Sequence, residues 1–370
     1  MKILITNPLL RKTFDLINIL NKMVNDYDLI YAGSESMSKI KFVYGNVNVH
    51  KLSKDNFEVD LHRISQIYIN EVIIYMPIEE DTTIDFYNYI NKFGERNFKY
   101  KLPPISKYHL SRDKNELNMF CETHDIPCPK YYSERDIKQN NYILPLILKP
   151  INGSGSKGIR YMFANNDLVV DSINFEMNFI QELLDNPKDI QAGFFLCDKG
   201  SIVSFYSHQR LRTFPEQGGV SVFSKSDLNL EIRAAGKDVV KKLNWSGFIM
   251  IEFLKCSITG KYKLIEINPR LWGSIMLSEF CGANFINGYI KLCLNKQIEN
   301  STIKEIQYIR WVFPYDILYF IKNPQNPLTF FKKNDNTCYI NFSYTNYLAS
   351  FKFICLTYFN LKKMKQIFYG

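Results

Sequence analysis

Along the first hundred residues the apolar positions keep two rhythms in turn. Residues 2–6 form a short apolar run, Phe14, Ile17, Leu20 and Met23 then recur at helical spacing, and residues 28–32 form a second run. The exchange continues with a helix over 57–70, a strand over 71–76, a helix over 83–93 and a strand over 98–102. Strands that alternate with helices predict a parallel sheet covered on both faces. The turn after the first strand, TNPLLRK, contains no glycine, so this Rossmann-like architecture carries no dinucleotide fingerprint and reads as a substrate-side or scaffolding domain.

Past residue 105 the pattern changes. Residues 111–124 predict a helix with Leu117, Phe120 and Cys121 along one side, and the two prolines of DIPCPKYY force the chain out of it. Residues 142–150 are an apolar strand with Lys149 at its end. The next segment, INGSGSKGIRYMF, satisfies G-x-G-x-x-G with Gly153, Gly155 and Gly158. A dinucleotide site needs a helix next, yet Ile159, Tyr161 and Phe163 alternate with Arg160 and Met162 as a strand does, and a Walker A loop needs a lysine where Ile159 stands. Two readings remain: a plain flexible hairpin, or a flap that lays backbone N–H groups over nucleotide phosphates. Lys149 beside the loop favours the flap. Residues 179–184 are a short apolar strand running into a bend with Pro187: either an ordinary strand and turn, or a hinge at which backbone groups of Glu182 and Leu184 can meet an adenine edge, with Asp189 near a ribose.

Residues 247–274 read as two apolar strands joined by a polar turn at 257–261. Alternation puts Glu266 and Asn268 on one face with Arg270 at the strand's end, and a facing strand brings Glu252 to the same surface. A strand glutamate ordinarily sits on a wet face. Here E-I-N-P-R interrupts an apolar run and E-F matches it one strand earlier, which favours an oxygen-ligand site for Mg²⁺, with Mn²⁺ as its substitute. In SHQRLRTFPEQGGVS, Arg210 and Arg212 alternate onto one strand face, either to capture a carboxylate or phosphate or as a solvated basic edge, with a turn at Gly218 and Gly219 close by.

Taken in order, Lys114, I-P-C-P at 126–129, L-K-P at 148–150, the GSGSKG loop, Q-E-L-L at 181–184, the E-F of Glu252 and E-I-N-P-R at 266–270 resemble an ATP-grasp enzyme, closest to the branch with the carbamoyl-phosphate synthetase large chain, biotin carboxylase and carboxylate–amine ligases. The resemblance runs from about 105 to 295. It implies an α/β and α+β chain: a Rossmann-like pre-ATP-grasp domain over 1–104, a small lobe with the glycine flap over 105–180, a large lobe with the Mg-ATP site over 181–300, and a C-terminal extension over 301–370. It further implies that Lys114 and Lys149 contact phosphates, that Gly153, Ser154, Gly155, Ser156 and Gly158 close over them, and that Gln181, Glu182 and Leu184 hold the base. Glu252, Glu266 and Asn268 would hold Mg²⁺, and Arg270 would meet the transferring phosphoryl group. The chain departs from its relatives after the hinge, where Asp185, Asn186, Pro187 and Lys188 replace a glycine and an acid.

What this family resemblance implies for function is an ATP-dependent ligase that joins a small carboxylate, such as an amino acid or a sugar acid, to an amine through an acyl phosphate. A homodimer is compatible and no nucleic acid is expected. The rival reading is an ATP-binding protein of the same fold with a regulatory or assembly role. Phosphorylation of bicarbonate or carbamate is disfavoured by the absence of a second ATP-grasp copy, a biotin-carrier segment or a glutaminase.

Composition narrows the setting. In 370 residues, 46% hydrophobic and 22% charged, there is core for two or three domains and no apolar run of the ~18 residues a spanning helix needs. MKILITNPLL is too short and β-like for a signal peptide, so the cytoplasm is expected. Eight cysteines without a CxxC pair read as free thiols, and five histidines without a zinc spacing leave no zinc site. Of the formal charge of +9, a net +6 falls after residue 300, where 18 aromatics also gather. That extension reads first as a cap packed on the body, and second as a surface for an anionic membrane or a lipid-linked or sugar substrate.

Overall fold

Parallel pairing organises the first hundred residues. β1 (Lys2–Thr6), α1 (Arg11–Lys22), β2 (Asp28–Gly33), α2 (Met37–Tyr44), β3 (Val49–Lys51), α3 (Phe57–Ile67), β4 (Ile73–Tyr75), α4 (Glu80–Phe93) and β5 (Phe98–Lys99) follow one another in the computed structural model. The strands form an all-parallel sheet in the order β3-β2-β1-β4-β5. Alternate side chains explain its layering: Leu4, Ile30, Ile73 and Tyr75 meet Phe57, Leu61 and Ile64 of α3 and Phe86 and Tyr89 of α4 in one buried cluster. The periodicity leaves α2 and β3 unpredicted.

The structure describes the chain apart from residues 24–26, 152–157, 169, 186–188, 216–219, 300–302, 304–305, 332–335, 340–346 and 359–370. It divides into two compact units, Met1–Leu102 with Arg270–Gly370, and Pro103–Pro269. The second unit begins with α5 (Ile105–Arg112), α6 (Lys114–Thr123) and α7 (Glu134–Lys138). The single helix predicted over 111–124 is two, because the Asp113 side chain accepts from the N–H groups of Asn115 (2.8 Å) and Glu116 (3.0 Å) and so starts a new helix. β6 (Leu146–Pro150), β7 (Arg160–Met162) and β8 (Asn178–Glu182) make a small antiparallel sheet with β6 central. The strand predicted from 142 starts only at Leu146; Pro145 before it has no N–H to give to a ladder, and its carbonyl accepts from Leu183 (2.9 Å).

The larger sheet holds β9 (Gln191–Asp198), β10 (Ser201–Phe214), β11 (Val220–Asp227), β12 (Gly247–Lys255) and β13 (Tyr262–Asn268), with α8 (Leu230–Leu243) between β11 and β12 in sequence. Antiparallel neighbours run in the order β13-β12-β9-β10-β11. α8 lies on the face to which Gly193 and Phe195 point: the Phe195 ring occupies the space beside Gly236, where a Cβ would come within 2.1 Å of it. Ala192 and Phe194, one residue out of step, therefore lie on the opposite face.

The chain returns to the first unit through α9 (Ile275–Phe280), α10 (Phe285–Cys293), β14 (Tyr308–Arg310), α11 (Ile317–Lys322), α12 (Pro327–Phe330), β15 (Thr337–Tyr339) and α13 (Tyr347–Tyr358). The described part of the extension is packed: Ala349, Ser350 and Phe353 are buried, and Phe353 stacks on Phe14 of α1 at 4.5 Å. Cys121, Cys128, Cys197, Cys256, Cys281, Cys293 and Cys355 are free thiols. Among the described residues no helix is long and apolar enough to cross a membrane.

Candidate functional site

The face of the larger sheet away from α8 carries the charged residues. β12 and β13 pair so that Glu252 lies directly opposite Glu266, and Met250 opposite Asn268. Glu252 also pairs with Ala192 on β9, and Ala192 with His208 on β10, so one row across the sheet reads Glu266, Glu252, Ala192, His208. Glu252 and Asn268 are buried and Glu266 is half-buried. Like charges opposite one another in a ladder repel. Arg210, two residues beyond His208, bonds one carboxylate oxygen of Glu252 and offsets part of that repulsion.

The small sheet supplies the facing charge. Leu146 and Leu148 of β6 enter a core with Met162 and Ile180, which turns the alternate residues Ile147 and Lys149 to the other face. Gln181 on β8 shares that face, and Lys149 Nζ donates to Gln181 Oε1 at 2.6 Å. Lys149 is only 9% exposed. Burial pushes its ammonium down to about 8; Glu266 and Glu252 work against that shift and Lys114 works with it. The lysine therefore lies within electrostatic reach of both glutamates. Lys114, the first residue of α6, donates to the carbonyl of Ile151 (3.2 Å), where the chain enters the glycine loop.

The remaining predicted residues are distributed as follows. Gly153, Ser154, Gly155 and Ser156 lie outside the described residues, as do Gly218 and Gly219. Gly158 has φ +76°, and a Cβ there would meet Pro150 at 3.0 Å, so the loop's last glycine is required by its backbone. Glu182 ends β8; its N–H donates to Lys130 O (2.9 Å), and its carboxylate accepts from Lys130 N (3.0 Å) and pairs with Lys263. Leu184 is buried just past the strand, and Asp189 is exposed outside any strand. Arg270 belongs to the first unit, where its guanidinium meets Glu80 at 3.2 Å.

One expectation is overturned. Arg210 and Arg212 do not share a face: a bulge lies between them, Arg210 pairing with Ser224 and Arg212 with Phe223, the residue next to it. Arg210 goes to Glu252, whereas Arg212 stacks on the Phe223 ring at 4.5 Å. Sequence reasoning also passed over His208 and Lys263. Strand alternation in S-H-Q-R is the signal that places His208 beside Arg210; Lys263 had no such signal, since its partner Glu182 is 81 positions away.

The donor set has a definite chemistry. Among the described residues no group of three or more His, Cys, Asp or Glu is placed to hold a metal ion. Two opposed carboxylates and an amide oxygen, with a buried lysine in reach, fit a hard ion that completes its shell with phosphate oxygens, as Mg²⁺ does.

The comparisons with known proteins bear on the fold and on one segment of the chain. Residues 111–274 match the family model described as ATP-grasp domain. A pyruvate carboxylase of Schizosaccharomyces pombe is 26% identical over 156 residues, which is 38% of this chain and 13% of that one, so the chain spans a small part of this relative's length. Among solved structures, biotin carboxylase from Campylobacter jejuni aligns with TM-score 0.64 and 16% identity over 83% of this chain and 74% of that one. An L-amino acid ligase from Bacillus licheniformis aligns with TM-score 0.58 and 14% identity over 80% of this chain and 74% of that one. At these identities the structural likeness speaks for the fold, and the family match speaks for the segment: residues 111–274 carry the match to the ATP-grasp domain.

Proposed function

We propose that the protein is an ATP-dependent carboxylate–amine ligase that works in the cytoplasm on small molecules, an amino acid or a sugar acid supplying the carboxylate. A carboxylate oxygen attacks the γ-phosphorus of ATP, the bond to the bridging oxygen breaks, and ADP leaves; the amine then attacks the acyl carbon, and phosphate leaves with the bonding pair and takes up the proton the amine gives up, leaving an amide. The observation that carries this reading is the Glu252–Glu266 pair on one strand ladder with Lys149 in electrostatic reach. Phosphoryl transfer needs positioning and charge neutralisation rather than a protein nucleophile, and that is the kind of group these strands offer.

In this reading Glu252, Glu266 and Asn268 would hold Mg²⁺, or Mn²⁺ in its place, which would supply neutralisation of the charge on the phosphate oxygens. Lys149 and Lys114 hold the phosphates, and Gly153, Ser154, Gly155, Ser156 and Gly158 exclude water from the acyl phosphate. Gln181, Glu182 and Leu184 border the base, Gln181 also orienting Lys149, and Asp189 borders the ribose. Arg210 holds Glu252 and is poised to receive the acceptor's carboxylate, and Arg270 is assigned to the transferred phosphoryl group from the family resemblance. The division into 1–104, 105–180, 181–300 and 301–370, and a homodimeric assembly, belong to the same proposal.

The test is ADP release over a panel of amino acids, small carboxylates and uronic acids with amines and Mg²⁺. Glu266→Gln keeps the shape and removes a ligand charge, so turnover is expected to fall on the order of a hundredfold with the melting temperature retained. Release by that variant at the wild-type rate overturns the site. ATP binding without ADP release across the whole panel would instead favour a nucleotide-binding role.

A further inference from the structure

Two helices of the first unit present an apolar and basic surface that ligase chemistry does not use. α13 has a buried and an outward face: Ala349, Ser350 and Phe353 are buried, while Tyr347, Leu348 and Phe351 stand on the opposite face at 56% to 64% exposure. α2, which packs against it, buries Ile40 and Val43 and leaves Met37 and Phe42 outward, 51% and 49% exposed. The two outward faces are continuous, because Lys352 of α13 reaches over the Phe42 ring at 5.4 Å. A single exposed apolar side chain is ordinary; five on adjoining helical turns are not.

Within the two helices the charge has one sign. Lys39 and Lys41 are exposed on α2, Lys352 lies on α13, and neither MSKIKFVY nor YLASFKFICLTY contains an acid. A second copy of the chain seated here would set lysine against lysine. An occupant that takes both features must be apolar and anionic at once.

We propose that the α2–α13 face docks on an anionic lipid bilayer, its aromatic side chains entering the headgroup and acyl boundary and its lysines meeting lipid phosphates and carboxylates. A helix of 12 residues is about 18 Å long, too short to span, so α13 lies in the plane of the surface. This surface is independent of the ligase reading.

The experiment is co-sedimentation of the full chain with vesicles of phosphatidylcholine alone and with about one-third phosphatidylserine. The wild type is expected to sediment with the anionic vesicles and to be released by high salt. Lys39→Glu with Lys41→Glu is expected to weaken partitioning at least about 25-fold, at roughly fivefold per lysine near such a surface. Phe42→Glu with Phe351→Glu is expected to abolish it. Both pairs are exposed, and thermal melting checks that each variant folds; if one does not, the other carries the test. The proposal is overturned if the wild type stays in solution with both vesicles, if neutral vesicles bind it equally, or if both folded variants sediment like the wild type. A wild-type dimer in light scattering that Phe42→Glu with Phe351→Glu turns into a monomer, without vesicle binding, would overturn it in favour of self-association.

Discussion

His208 is enclosed at 3% exposure, stacked on Phe194 at 4.8 Å and two residues from Arg210. Burial, reinforced by the Arg210 guanidinium, pushes its imidazole down to about 3, so the folded protein keeps the ring neutral where an unfolded chain would protonate it near 6.5. Between those two values the unfolded state binds one proton more than the folded state. Stability therefore falls as pH drops from 6.5 toward 3, with a slope of about 1.4 kcal/mol per pH unit from this residue. His208→Gln removes the contribution: between pH 6.5 and pH 5 the wild type should lose about 2 kcal/mol more than the variant in urea unfolding. Parallel pH profiles of the two proteins would show that the ring is not held neutral. The consequence for the site is that Arg210 faces Glu252 without a competing cation on the neighbouring row.

At the scale of elements, α8 and the larger sheet are fitted to each other through one ring. Phe195 fills the space over Gly236 and Gly193, where an added Cβ would approach it to 2.1 and 2.8 Å. Gly236→Ala gains helix propensity yet overpacks this contact, and a net loss of about 1–3 kcal/mol in unfolding free energy is expected. A variant as stable as the wild type in urea would mean that the ring has room to move. The glutamate hairpin on the other face was legible from the sequence because its residues are local: a polar turn, two apolar strands and a two-residue alternation settle which side chains share a face. The Arg210–Glu252 pair was not legible, since β10 and β12 are separated by β9 and the bulge after Arg210 breaks the alternation that sequence reasoning relied on. α2 and β3 escaped notice for a different reason. Only Ile40 and Val43 of α2 are buried, and β3 is three residues long with none of them buried, so neither leaves an apolar period to read.

On the scale of the whole molecule, the first unit is built from two segments separated by the entire second unit, and a short set of bonds joins them. The Leu271 N–H donates to Pro77 O (2.9 Å), and Lys12 Nζ donates to Leu271 O (3.1 Å) while pairing with Glu79 (2.9 Å). The Tyr289 hydroxyl donates to Tyr75 O (2.8 Å) at the end of β4 and accepts from Lys101 N (3.2 Å). Burial and the nearby Arg270 push the Lys12 ammonium down to about 7, with Glu79 holding it up, so this lysine is retained at an electrostatic cost. Its replacement by an apolar residue separates the two effects. Lys12→Met removes the buried charge but leaves Leu271 O and Glu79 without that donor, whereas Tyr289→Phe removes the hydroxyl that bonds Tyr75 O and Lys101 N, at a cost of about 1–3 kcal/mol. If the two segments form one cooperative body, Tyr289→Phe should raise hydrogen exchange together in β1, β4 and the 270–293 segment while leaving β12 and β13 protected. Faster exchange confined to 270–293, with β1 and β4 unchanged, would mean that the returning segment is an appendage that can loosen alone and that the parallel sheet is complete without it.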